Sequence, residues 1–72
     1  MKYYLVVKTL DADKSRSFRE RITFEFDSYI KNYGLDRFEQ RLNILCLDIA
    51  STYGYLFRKD GETLEFMSKD CI

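Results

Sequence analysis

Lys14, Arg16, Arg19 and Arg21, with Phe18 among them, form the densest basic cluster in the sequence. An aromatic ring set between cations can stack a nucleobase while the cations hold phosphates, so this stretch is a candidate for single-strand nucleic-acid contact. Glu20 and Glu25 interrupt it, and a solvated strand face accounts for the same residues. A second basic group, Lys31, Arg37 and Arg41, keeps company with Asn32 and Gln40 in a helical stretch. It offers a dock for a partner's carboxylates or phosphates, while Asp36 and Glu39 dilute it toward an ordinary outer helix face. Tyrosine combines rigid area with a polar tip and is enriched where proteins bind proteins. Of the six tyrosines, Tyr3, Tyr4, Tyr29, Tyr33 and Tyr53 are candidates for an interface, or for half-burial at the rims of the fold. The partner-binding set read from these features is Arg19, Arg21, Lys31, Tyr33, Arg37 and Arg41.

Catalytic chemistry finds less material. The chain has no histidine, which removes the usual general base near neutral pH, the His-dependent nucleophile pairs and all His-containing metal sites. Gly34, Gly54 and Gly61 are scattered and assemble no phosphate-cradling loop. Asp11 and Asp13 make a D-x-D, but an EF-hand loop begun at Asp11 would end on Ile22 where a bidentate Glu is required, so a solvated turn is expected instead. Cys46 and Cys71 stand far apart without a CxxC, as free thiols of a reducing compartment do. Asp48 interrupts an apolar run near its end and is expected to face water. No cofactor, metal site or catalytic role is expected.

Length and composition set the frame. Seventy-two residues support one hydrophobic core, hence a single domain over 1–72. The chain is 46% hydrophobic and 33% charged with no proline, which is the composition of a folded globular domain. Twelve basic side chains balance twelve acidic ones, so any attraction to nucleic acid or to an anionic membrane must come from a local patch. The apolar stretch Tyr3-Tyr-Leu-Val-Val7 is too short for a membrane span or a signal-peptide core, and a cytoplasmic protein is expected.

The elements that must carry these side chains read as follows. Tyr3 to Leu10 is rich in aromatic and β-branched residues and predicts a first strand. Asp11 to Ser17 reads as a polar loop, and Phe18 to Phe26 as a second strand in which Ile22, Phe24 and Phe26 alternate with polar residues. Asp27 and Ser28 cap a helix with Tyr29, Ile30 and Tyr33, which Gly34 ends or interrupts before a second stripe of Leu35, Phe38 and Leu42. The latter part of Leu42 to Ile49 reads as a buried strand. Tyr53 to Met67 predicts a hairpin with Asp60-Gly61 as a type I′ loop, pairing Lys59 with Glu62, Phe57 with Leu64 and Tyr55 with Phe66. The expectation is an α+β fold of order β-β-α-β-β-β, a single antiparallel sheet of about five strands against one helical region. Its core is drawn from Leu5, Val7, Ile22, Phe24, Phe26, Ile30, Phe38, Leu45, Leu47, Tyr55, Phe57, Leu64 and Phe66.

The opening Met1-Lys-Tyr-Tyr-Leu-Val-Val-Lys8, the polar loop, the alternating segment, the short helical region, the hairpin Tyr55-Leu-Phe-Arg-Lys-Asp-Gly-Glu62 and Asp70-Cys71 together resemble small phage-encoded anti-CRISPR proteins of the type I inhibitors. The resemblance implies a noncatalytic inhibitor of host defence that binds a CRISPR surveillance complex through polar and basic side chains and blocks target DNA recognition. It implies contact near the helical region, where Lys31, Arg37 and Arg41 lie. Two alternatives stand beside it. One is a β-grasp, ubiquitin-like adaptor, whose carrier form needs a C-terminal Gly-Gly that Asp70-Cys71-Ile72 lacks. The other is a small nucleic-acid binder using Lys14 to Arg21. The expected partner is a host protein complex, with nucleic acid secondary and no membrane, and the chain is expected to act as a monomer or a homodimer through an exposed sheet edge.

Overall fold

Two periodicities compete between residues 18 and 26. Ile22, Phe24 and Phe26 alternate, but Phe18, Ile22 and Phe26 also recur every four residues, and Tyr29, Ile30 and Tyr33 extend only the second pattern. The four-residue stripe decides the structure, because a helix that buries it packs far more apolar area than a short half-buried strand could. In the structure, a computed structural model that describes residues 3–71, Ala12–Tyr33 is one long helix, α1. Met1, Lys2 and Ile72, which enter the readings of the two chain ends, lie outside the described residues.

The segment read as a polar loop is the start of this helix. Asp11 is extended at φ −129° and its carboxylate accepts from the Asp13 amide at 2.8 Å, an N-cap that satisfies one of the free first-turn donors. Asp13–Arg16 and Arg21–Glu25 ion pairs, at 3.7 and 3.6 Å, follow helical spacing along its surface. Gly34, at φ +91°, breaks the run, since this backbone conformation suits a residue without a Cβ. The short helix α2 (Leu35–Gln40) and the helix α3 (Leu42–Tyr53) follow, and Gly54 ends α3 in the left-handed region. The apolar run expected to be a strand is therefore helical: Leu42, Cys46, Ile49 and Ala50 recur at helical spacing and are all buried.

The sheet has three strands, not five, and it is mixed. Strand β1 (Tyr4–Lys8) pairs in parallel with β3 (Thr63–Ser68), while β2 (Tyr55–Asp60) pairs antiparallel with the other side of β3, so the order is β1-β3-β2. The α+β class holds; the five-strand antiparallel sheet and the β-β-α-β-β-β order do not. Helices α1 to α3 form the long crossover that a parallel pair requires. A 3₁₀ turn, Lys69–Cys71, follows β3.

The expected hairpin exists with a shifted turn. Asp60 pairs with Thr63, so the loop is Gly61-Glu62 rather than Asp60-Gly61. Gly61 has φ +58° and Glu62 does not have a positive φ, the sign pattern of a type II′ turn rather than type I′. Phe57 consequently meets Phe66 and Lys59 meets Leu64. Moving the loop by one position shifts the pairing by two, and a shift of two leaves every side chain on its expected face.

The covered sheet face carries Leu64 and Phe66, fully buried, flanked by Leu5 and Val7 on one side and Phe57 on the other. Phe18 and Ile22 of α1, Phe38 of α2, and Leu42, Cys46, Ile49 and Ala50 of α3 complete the core. Phe26, Ile30, Leu45 and Tyr55 pack partly buried against it, as expected. Phe24 and Leu47, expected inside, are 62% and 55% exposed, because helical geometry turns them away from the stripe that packs. Burial pushes the Cys46 thiol up to about 12, which makes it an inert core side chain. On the open sheet face Glu65 of β3 lies between Lys8 of β1 and Arg58 of β2, at 3.5 and 3.6 Å.

Candidate functional site

The helical spacing of α1 splits the basic cluster read at the sequence level. Residues two apart on an α-helix point about 200° apart around the axis, so Arg19 and Arg21 leave the helix on opposite flanks. Arg19 reaches the rim of the sheet, where its guanidinium donates to the Leu5 carbonyl at 2.9 Å. The Tyr4 amide donates to the Glu62 carbonyl at 2.9 Å, so Tyr4 faces β3 and the backbone groups of Leu5 face the free edge. Arg19 thus caps an unpaired carbonyl of β1.

Arg21 belongs to a different place. Lys14 and Arg21 lie two turns apart on α1, on the flank that overlooks the corner between α3 and β2, where Tyr53 and Tyr55 stand. Lys69 and Asp70, on the 3₁₀ turn after β3, close the other side, and the Lys69 amide is fixed by a 3.2 Å bond to the Gly54 carbonyl. These residues line a cleft of about 640 Å³ with the Phe18 ring at its base. The Arg21 guanidinium is 5.8 Å from the Tyr53 ring and 5.7 Å from that of Phe24, both within cation–π range, and it also pairs with Glu25. Tyr53 is 42% exposed and presents ring area to the cleft. Burial, with the Cys71 thiol and the Asp70 carboxylate nearby, raises the Tyr55 phenol above its ordinary range, so it keeps its proton and remains a donor.

The remaining expected site residues are dispersed. Lys31 is on the exposed side of α1 with Phe24, Asp27 and Asn32, around a shallow depression. Tyr33 tilts against Tyr29 at 4.7 Å, and the Arg37 guanidinium lies 6.0 Å from its ring. Arg41 sits at the joint between α2 and α3, where its amide donates to the carbonyls of Arg37 and Phe38. Of the six expected residues, Tyr33 and Arg37 are brought together, and only Arg21 enters the cleft. Lys69, Tyr55 and Asp70 were not among them. Lys14 and Arg21 form an i, i+7 pair on a helix, and the β2–β3 hairpin, in which Tyr55 pairs with Ser68, carries Lys69 to Gly54; what has no local signal is the packing of that hairpin end against α1.

Asp11 and Asp13 are engaged in capping and in the ion pair with Arg16. Among the described residues no group of three or more Cys, Asp or Glu side chains could hold a metal ion, and no helix is long and apolar enough to cross a membrane. Cys46 and Cys71 are free thiols. The cleft can therefore bind: it offers cations for an anion, rings for stacking, and hydroxyl donors. No protein-family model matches this chain, and neither does any curated protein or solved structure.

Proposed function

We propose that this chain is a noncatalytic binding module that acts by occupying a protein partner's surface through the cleft between α1, the α3–β2 corner and the turn after β3. The observation that carries this reading is the meeting of Lys14, Arg21 and Lys69, from two distant parts of the chain, over aromatic side chains. Cations held beside rings suit an anchor group that is both anionic and flat, and a few well-seated anchors carry most of the binding energy at protein interfaces. The dispersal of Arg19, Arg21, Lys31, Arg37 and Arg41 leaves no continuous basic track for a nucleic-acid backbone, which favours a protein partner.

The resemblance to anti-CRISPR inhibitors gives the role its form, a host protein complex blocked by contact, with a type I surveillance complex as the first partner to test. On this reading the chain works in the host bacterial cytoplasm. The strand-strand-helix-strand order that the β-grasp adaptor needs is absent from the fold, so that alternative loses its support.

The test is a pull-down with tagged protein from nuclease-treated bacterial lysate, alongside direct mixing with a purified type I surveillance complex. Stoichiometric co-elution that falls at least ~10-fold in the Arg21→Glu/Lys69→Glu double variant is expected, an effect of about 1.4 kcal/mol or more. Capture of nuclease-sensitive material alone, or capture indifferent to both substitutions, overturns the reading.

A further inference from the structure

Resting on the binding-module reading, we infer that the Lys14–Arg21–Lys69 cleft is a site for a phosphate monoester carried on a flat ring, as in a phosphotyrosine side chain or a nucleoside monophosphate. Charge is the first argument. Three cations line the cleft beside the carboxylate of Asp70, Glu25 pairs with one of them, Arg21, and a phosphate monoester, at about −1.5 to −2 at neutral pH, brings charge and oxygens enough to engage the guanidinium and the lysines together. A carboxylate, with one charge, is satisfied by one guanidinium fork and leaves the lysines without a role.

Shape is the second. The cleft, at about 640 Å³, lies within the range of sites that hold a small ligand, roughly 300–1,000 Å³. The exposed Tyr53 ring and the partly buried Tyr55 ring border it, so a planar group can stack while its phosphate reaches the cations. Arg21 is aimed before any ligand arrives, because the Tyr53 and Phe24 rings and the Glu25 carboxylate hold its guanidinium. Preorganisation of that kind lowers the ordering cost of binding.

The experiment titrates the intact chain, by calorimetry and amide chemical shifts, with phenyl phosphate, benzoate and inorganic phosphate. Phenyl phosphate is expected to bind at least ~10-fold more tightly than either other probe, with shifts centred on Tyr53, Gly54 and Lys69, and to weaken as salt is raised. Arg21→Ala and Lys69→Ala are each expected to cost ~10-fold, while Lys31→Ala, toward the other end of α1 and outside the cleft, changes nothing. A phosphotyrosine peptide and adenosine monophosphate form the second arm, and the tighter of the two identifies the source of the phosphate. Equal binding of benzoate and phenyl phosphate, or affinity unmoved by both Arg21→Ala and Lys69→Ala in variants that keep the wild-type amide spectrum, overturns the inference. If partner capture persists in that case, the binding module stands and only the phosphate assignment falls; if phenyl phosphate binds while no partner is captured, the module reading is the one that fails.

Discussion

The ring of Phe18 lies flat on the ring of Tyr55, with centroids 3.7 Å apart and planes 3° from parallel. This contact ties the first residue of the α1 core stripe to the start of β2, and it forms the wall between the core and the cleft. Tyr53 and Phe66 meet the Phe18 ring edge-on, at 5.9 and 5.4 Å. Phe18→Ala is expected to cost about 3–5 kcal/mol by urea unfolding, as deletion of a buried ring does elsewhere, and Phe18→Leu less than half of that. A cost for Phe18→Ala under ~1 kcal/mol would show that the stack is not part of the core.

The two thiols should separate cleanly. Cys46 is fully buried and Cys71 only partly, so a thiol reagent at pH 8 is expected to modify one cysteine quickly and the second only after denaturant is added. The same burial gives an alkaline limit. The Cys46 thiol is held protonated to about 12 in the folded chain against an ordinary 9.0. Stability is therefore full below pH 9 and falls as pH rises from there toward 12, because the unfolded chain ionises first. Tyr55, also raised, adds loss of the same sign above its ordinary range. Cys46→Ala should flatten the part of the decline that starts near pH 9, which denaturant midpoints across pH 8 to 11 would reveal.

Arg19 guards the free edge of β1 through the Leu5 carbonyl. Unpaired strand edges template association, and a charged side chain laid over one is a common protection. Arg19→Ala is expected to change stability by only ~1 kcal/mol while raising self-association at high concentration, measured by sedimentation equilibrium. Arg19→Lys, which keeps a donor, should remain closer to wild type, and identical sedimentation of all three proteins would remove the guarding role.

Glu65 shares one carboxylate oxygen between Lys8 and Arg58, and its side chain is only 16% exposed. Its removal leaves two cations facing each other across β3. Glu65→Ala is expected to cost about 1–2 kcal/mol, more than the sum of Lys8→Ala and Arg58→Ala, because exposed pairs count for little singly and more as a network. The excess should shrink in high salt, and thermal unfolding at two salt concentrations checks it.

Local signals were legible wherever one pattern stood alone. The first strand, the hairpin strands and their faces, and the burial of Phe38, Leu64 and Phe66 follow from such stretches. Phe18 to Phe26 was not legible by itself, since alternation and four-residue recurrence share Ile22 and Phe26, and the choice lies in residues 29 to 33 and in the cap at Asp11. Leu42 to Ile49 failed for a related reason: a short apolar run has no period until Ala50 and Tyr53 are counted with it. On a strand Arg19 and Arg21 would share a face, whereas on α1 Arg21 shares a flank with Lys14, so the cleft is not readable from residues 18 to 26 alone. The partnership of Lys69 with Lys14 and Arg21 is purely tertiary.

The pairing of β1 with β3 also sets an order of events during synthesis. Tyr4 and Leu5 pair with Thr63 and Leu64, so β1 has no strand partner until the central strand has been made. The helices between them need only local contacts, and non-local pairing is the slow step of folding. Until translation reaches Phe66, β1 therefore lacks its ladder, and its unpaired backbone is open to chaperones or to another copy. In refolding experiments with pulsed hydrogen exchange, amides of α1 should gain protection before those of β1.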